Sequence, residues 1–554
     1  MTPIPVFDLL LIFGRRKMTS PYSTRHIDHL GLVAGMCKDL NLAQQIDSIV
    51  PDEREEKIIS YGQLVVAMIL NGLGFAGRTM HMYPQYFEDK PIERLIGPGI
   101  EASNINDDAL GRCLDKLYEC GVSTVYQSLA ENVVSHLGLP CEGLNLDSTS
   151  MHVDGEYDDF GVDANAIKIT RGYSRDHRPE LNQVVLNLLT ENQAGIPVYM
   201  QPASGNINDL AGFKKIVKHH ISSLKAAQQC QYFIGDSALY VAETINDLNE
   251  QGIKFISRAP QKLKQVKTLI SQQHNYAFET LENGYSACWH EVEYGGVAQR
   301  WLLIRSEQAT KREACTLDKS MLKNTTASLK SFKKLSQQAF GCEVDAQSAL
   351  NKWEAQQDYI NVNDSQITSQ AVYKGRGRPK TQDVPLTYKY TITGALSSSL
   401  SQRAHSLSQK GMFVLATNDK TAKLTMEKTL ALYKSQQRVE KGFRFLKSPD
   451  FLVSSLYLNK PERIEALLMV MTCCLMVYAA LEHKIRAELV SQSVYFPDMK
   501  NKPAQNPTVR WVFQCFQGID LLIMGTKEQQ VLNLKERQRV ILDCLGNQYW
   551  DIYS

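Results

Sequence analysis

From Leu144 the chain alternates short apolar runs with turn residues. LNLDSTSMHV, VVLNLLT (184–190) and IPVYMQPAS each predict a strand, with Asn192 to Gly195 as the turn between the last two. Asn208 and Asp209 stand where a cap would, ahead of LAGFKKIVKHHISSL, a predicted helix. QYFIGDSALY and IKFISRAP predict two more strands, separated by a helical stretch over 242–250. Three hairpin-linked strands, a helix and two further strands make a mixed sheet in an α/β layer. Upstream, residues 24–135 have helical spacing. Ser60 precedes YGQLVVAMILNGL, which is apolar on most sides, and Asn106 precedes ALGRCLDKLYEC, closed by Gly121.

Past Lys264 the pattern breaks. SACWHEVEY, RWLLIRS and LTYKYTITG predict strands, with charged helical stretches between Glu307 and Lys352. GMFVLATND returns to a buried strand. Ala431–Lys447, ALYKSQQRVEKGFRFLK, lacks Pro, has a single Gly and predicts a helix. Pro461 opens an apolar helix ending near Arg486, and two helical segments follow, around Val509–Phe516 and Glu528–Leu545. The division expected is an upstream or disordered extension (1–23), a helical N-terminal domain that binds DNA (24–135), a core in two parts (136–264 and 406–490), a β-rich insertion (265–405) and a helical tail (491–554).

Composition narrows this little. A chain of 554 residues is too long for one core. A net charge of +2 says nothing about nucleic acid, but Lys420 to Lys447 holds eight Lys/Arg against Glu427 and Glu440, a local basic surface. Twelve cysteines without C-x-x-C or zinc spacing suggest reduced, cytoplasmic usage. DLLLIF precedes Arg15, Arg16 and Lys17, the reverse of a secretory signal, and Met18 offers an alternative start. The longest apolar run, Ala466–Leu481, is 16 residues, short of the roughly 20 that span a bilayer, so a buried core helix and no membrane partner are expected.

The candidate chemistry lies in three acids. Asp147 and Asp236 each end an apolar strand and precede a serine (Ser148, Ser237). A carboxylate there is costly unless paired or bound to a cation, or unless it caps the following turn. On a helix over 431–447, Tyr433, Glu440 and Lys447 would share one stripe, with Gln436 and Arg444 beside it and Arg438 roughly opposite. Asp154, among His152, Glu156, Asp158 and Asp159, is a weaker alternative to Asp147, because Asp154-Gly155 reads as a turn. Arg376 and Arg378 of GRGRPK (375–380) suit either an AT-rich minor groove or a solvated loop, and the short basic loop of Arg175, His177 and Arg178 suits either DNA contact or a solvated hairpin entry.

LNLDSTS, GYSRDHRPELNQ (172–183), FIGDSAL, FISRAP, FVLATND and the Tyr433–Glu440–Lys447 helix, in that order, resemble the DDE transposases of bacterial insertion sequences. The branch is the one with an α/β ribonuclease H-like core interrupted by a β-rich insertion and led by a helical domain. The family's helix motif is Tyr, two residues, Arg, three residues, Glu, six residues, Lys. This chain departs from it at Gln436, which carries no charge and lacks the bidentate fork of Arg. The resemblance implies that Asp147, Asp236 and Glu440 hold two Mg²⁺ or Mn²⁺ ions, and that Tyr433 and Lys447 grip a phosphate near the cut. It further implies cut-and-paste strand cleavage and strand transfer at terminal inverted repeats, target DNA as the second substrate, and a homodimer on paired ends. Two other classes stay open: a DNA-binding remnant or repressor that no longer cuts, and a ribonuclease H-like nuclease.

Overall fold

The structure is a computed structural model that describes residues 22–54, 57–75, 80–153, 157, 165–174, 178–207, 230–374, 384–447, 458, 460–525 and 528–554. It divides into two compact units: residues 1–256 with 431–554, and residues 257–430.

The sheet of the first unit has the lateral order Pro197–Ser204, Asn182–Glu191, Gly143–Val153, Tyr232–Gly235. The first three strands pair antiparallel, Asp147 lying opposite Leu188. Gly143–Val153 and Tyr232–Gly235 pair parallel, from Gly143↔Tyr232 to Leu146↔Gly235. The sheet is therefore mixed. A helix, Ala242–Glu250, follows the fourth strand at the predicted positions. The helix predicted after Asn208 and Asp209 lies outside the described residues.

Local chemistry starts the helices where the sequence places them. Ser60 Oγ accepts from Gln63 N (3.1 Å) and Gln63 Oε1 accepts from Ser60 N (3.0 Å), a reciprocal cap for Tyr61–Leu73. Asn106 Oδ1 accepts from Ala109 N (2.9 Å) at the start of Asp107–Glu119. These helices lie against Pro461–Ser491, the apolar helix. Among the described residues it alone is long and apolar enough to cross a membrane, yet 83% of its apolar window is buried within the protein, as a core helix should be. Arg463 Nε and Nη2 fasten its first turn to both oxygens of Asp115 (2.7 Å each) and hold that carboxyl below the usual range.

Two expectations change. The tail is not wholly helical: Asp520–Met524 pairs with Glu528–Leu532, and Tyr22–His26 adds to the other side, so the two ends of the chain share one three-stranded sheet. Only Glu536–Leu545 of the helix expected over Glu528–Leu545 is helical. In the second unit, Met412–Thr417 pairs antiparallel with Val297–Ser306, which pairs with Tyr285–Tyr294. The GMFVLATND strand, placed by sequence in the second part of the core, thus folds with the 257–430 unit. That unit also carries the 31-residue helix Glu307–Gln337 and the hairpin Ile360–Val372 with Thr387–Ser398 over a small core of Phe332, Leu350, Trp353 and Ile392.

Candidate active site

Asp147 is the fifth residue of an eleven-residue strand, not its last. Pairing with Asn182–Glu191 carries the strand on to Val153, opposite Asn182. What ends beside Asp147 is the parallel pairing with Tyr232–Gly235, whose last partners are Leu146 and Gly235. One step further on each strand stand Asp147 and Asp236. The two acids are therefore level on adjoining parallel strands, whose usual spacing is about 4.8 Å.

Asp236 also does the turn-capping work that was the rival reading, whereas Asp147, inside its strand, makes a local bond to the next residue. Asp147 Oδ1 accepts from Ser148 N (2.8 Å), and Asp236 Oδ1 accepts from Ala238 N (2.8 Å). The second bond, with Leu239 N donating to the Asp236 carbonyl (3.2 Å), closes a tight turn. Gly235 is required there: a Cβ would sit 2.7 Å from Leu239 Cδ2 and 2.8 Å from Leu239 Cβ. Both carboxylates are half-buried.

The Glu440 region is a run of helical backbone with a local tightening at Gln436, which itself keeps helical φ/ψ (−57°, −28°). Met426–Ser435 and Gln437–Leu446 meet at Gln436, whose N–H reaches back only three residues to the Tyr433 carbonyl (3.2 Å). Ser435 causes the change. Its hydroxyl divides its donation between the Leu432 carbonyl (2.6 Å) and Asn145 Oδ1 (3.1 Å), so a side chain competes with the helical ladder. Gln436 is nearly buried. The stripe expected through Tyr433, Glu440 and Lys447 thus crosses a local tightening at Gln436. Tyr433 belongs to the first helix, and Glu440, Arg444 and Lys447 keep their spacing on the second, Lys447 at its C-terminal cap. Glu440 and Arg444 are exposed, while Val439, Gly442, Phe443 and Leu446 face the interior. Arg438 points elsewhere, as expected, donating to the Asn192 carbonyl (2.5 Å).

Side chains alternate along a strand, so Gly143, Asn145 and Asp147 face the same side of the sheet. That is the side the Glu440 region covers. A Cβ at Gly143 would lie 3.5 Å from Leu432 Cδ2, Ser435 bonds Asn145, and Gln437–Leu446 touches the same strand. Among the described residues no three His, Cys, Asp or Glu side chains form a group able to hold a metal ion. The structure brings Asp147 and Asp236 side by side and anchors the Glu440 helix to the Asp147 strand, without gathering all three carboxylates.

Of the other candidates, Arg376, Arg378, Asp154, Glu156, Asp158, Asp159, Arg175 and His177 lie outside the described residues. Arg178 forms an exposed ion pair with Glu180 at the entry to the second strand. Asn145 and Ser435 were missed. Their signal was available in one respect: Asn145 is a polar residue two before Asp147, hence on its face.

Asp147 and Asp236 thus stand level beside each other, with a helix region over the same face of the sheet. Residues 142–477 match the family model described as Transposase DDE domain, and residues 22–131 match one described as Domain of unknown function (DUF4277). The chain belongs to the DDE-type transposases. No curated protein matches it. Among solved structures, it is similar to a piggyBac transposase synaptic complex with hairpin DNA, at 10% identity and a TM-score of 0.36, over 90% of this chain and 82% of that one. It is also similar to the Mos1 transposase paired-end complex with left transposon end, at 10% identity and a TM-score of 0.15, over 37% of this chain and 61% of that one. Likenesses of that size settle neither fold nor activity.

Proposed function

We propose that this transposase binds the terminal inverted repeats of a bacterial insertion sequence and cuts and rejoins DNA at a site made of Asp147, Asp236 and Glu440. The observation that carries this is the level placement of Asp147 and Asp236 where their parallel pairing ends. Two carboxylates at strand spacing repel one another, and a divalent cation relieves the repulsion. All-oxygen donors suit Mg²⁺ or Mn²⁺. When bound, a pair of such ions activates an attacking water or 3′-hydroxyl and stabilises the leaving oxygen.

Glu440 is assigned by the level at which its helix runs. From Gly143 to Asn145 the strand climbs about 6.6 Å, while the covering chain advances from Leu432 to Ser435 in the same direction. A further 6.6 Å, roughly, reaches Asp147, and at 1.5 Å per residue that is about four helical residues past Ser435, near Val439 and Glu440. Lys447, Arg444 and Tyr433 then contact phosphates beside the cut, each donating to a phosphate oxygen. We place the reaction in a ribonuclease H-like core with the 257–430 unit as its insertion, the helical region 24–135 on the element's end, a homodimer on paired ends, and the protein in the bacterial cytoplasm.

The test is cleavage and joining of DNA bearing the element's ends with Mg²⁺ or Mn²⁺. Asp147→Asn, Asp236→Asn and Glu440→Gln should each abolish cleavage, with DNA binding largely kept. Normal cutting by Glu440→Gln removes that residue from the site. Gln436 favours one other reading, a DNA-binding protein that does not cut. Salt-dependent DNA affinity with no metal-stimulated product would establish it. Inverted repeats in the flanking DNA would decide the class without any protein.

A further inference from the structure

We propose that the helix Glu307–Gln337 of the second unit is a docking surface for the phosphate backbone of duplex DNA. From Lys319 to Gln337 the helix reads KSMLKNTTASLKSFKKLSQ, five lysines and no acid. At 100° per residue, Arg312, Lys319, Lys323, Lys330, Lys333 and Lys334 fall within about 100° of arc, and they extend along about 33 Å of helix. All six are exposed, and none makes an ion pair among the described residues. The buried positions, Leu317, Ser328 and Phe332, lie on the opposite side, where Phe332 enters the small core of this unit.

The acids of this helix are turned away from the stripe. Glu307, Glu313 and Asp318 each fall at least about 60° outside the arc. Glu313 accepts from Gly411 N (3.1 Å) and Asp318 from Arg403 Nη2 (3.0 Å), so both are spent on their own unit. An ordinary solvated face mixes signs at i,i+4. Here Lys319/Lys323 and Lys330/Lys334 place like charges at that spacing, which costs about 0.2–0.5 kcal/mol per pair and gains nothing within the chain. A polyanion offsets this repulsion. The stripe is about as long as one turn of B-DNA, roughly 34 Å, and its cations reach phosphate oxygens without reading bases. DNA is taken as the polyanion from the family to which the chain belongs, not from the assignment of the three acids.

The experiment uses the full-length protein, a duplex of about 40 base pairs of unrelated sequence, fluorescence anisotropy, and EDTA to exclude cleavage. Lys323→Ala with Lys330→Ala is compared with wild type and with Lys500→Ala, Lys502→Ala, a control that removes the same charge elsewhere. Alanine is the best helix former, so the fold is not at risk, and a thermal melt confirms it. Two lost phosphate contacts should reduce the slope of log K against log salt by about 1.8, which weakens binding about 60-fold at 0.1 M salt, and the control should match wild type. Wild-type slope and affinity in the stripe variant overturn the proposal. So does an equal loss in the control, or a loss confined to binding of phosphatidylglycerol vesicles. Because binding is read without metal, a failed acid assignment and a failed docking surface give different results.

Discussion

Replacing Ser435 by alanine tests whether the Glu440 region is fixed to the Asp147 strand by one hydrogen bond. Asn145 is fully buried, and its Nδ2 lacks a partner among the described residues. Removing the Ser435 hydroxyl leaves Oδ1 without its donor too, in a place water does not reach. A buried acceptor stripped of its partner costs about 1–3 kcal/mol. Native-state hydrogen exchange, followed by mass spectrometry on peptides covering 143–153 and 431–447, should therefore quicken about 5- to 150-fold. Asn145→Leu removes the orphan instead of creating one, so in that background Ser435→Ala should cost less than about 0.5 kcal/mol, a coupling of about 0.5 kcal/mol or more. The catalytic readout is separate. If this bond sets the height of Glu440 against Asp147, Ser435→Ala should lower kcat about 10- to 100-fold with KM little changed, the size of effect expected for a misplacement of about 1 Å. Wild-type exchange in Ser435→Ala, or the same cost with and without Asn145, would refute the reasoning.

Three further outcomes follow from single positions. Gly235→Ala drives a Cβ to within 2.8 Å of Leu239 Cβ, so the turn that holds Asp236 must shift; the melt of the first unit should lose about 1–3 kcal/mol and cleavage should fall more than DNA binding, whereas an unchanged melt would show the turn yields freely. Gln436→Arg should steepen the salt dependence of DNA binding by about 0.9 and lower the melting temperature without DNA, because it places a charge at a nearly buried position; an unaltered slope means residue 436 does not face phosphate. Burial holds the His29 imidazole below its ordinary value of 6.5, with Nε2 donating to the Leu73 carbonyl (2.8 Å) and the ring stacked on Phe513 at 4.5 Å. The unfolded chain then takes up a proton near pH 6.5 that the folded chain refuses, so stability is full above that pH and falls below it, by at most about 1.4 kcal/mol at pH 5.5. His29→Gln should flatten that part of the pH profile in a denaturant titration, and an undiminished slope would assign it to other groups.

What the sequence could and could not show divides along the range of the interactions involved. The strands around 144–204 and 232–258 were legible because their apolar runs and turns are local, and so was the capping of Tyr61–Leu73 by Ser60. The place of Asp147 inside its strand rather than at its end was not, since the residues beyond it are held by pairing with Asn182 to Leu188 some thirty or more residues on. Nor was the sheet joining Tyr22–His26 to Asp520–Met524, in which YSTRH shows no apolar alternation and its partner lies at the far end of the chain. The tightening at Gln436 was hidden for another reason. No Gly or Pro marks it, and it arises from a hydroxyl that finds a polar side chain on the sheet.

That tightening bears on the one position where this chain departs from the family's helix motif. On one straight helix, Tyr433 and Lys447 would bracket Glu440 at equal steps, and a substitution at 436 would only alter a contact to DNA. Residue 436 lies at the tightening with its side chain nearly buried, so an arginine there would have to fit that place as well as reach a phosphate. Gln436 suits the buried place, and its carbonyl accepts from Val439 N (3.1 Å) and Glu440 N (3.4 Å), the turn that leads to Glu440. If Arg444, the exposed cation one turn beyond Glu440, supplies the phosphate contact in place of residue 436, Arg444→Ala should weaken end binding more than any change at 436 while leaving the Glu440 helix in place.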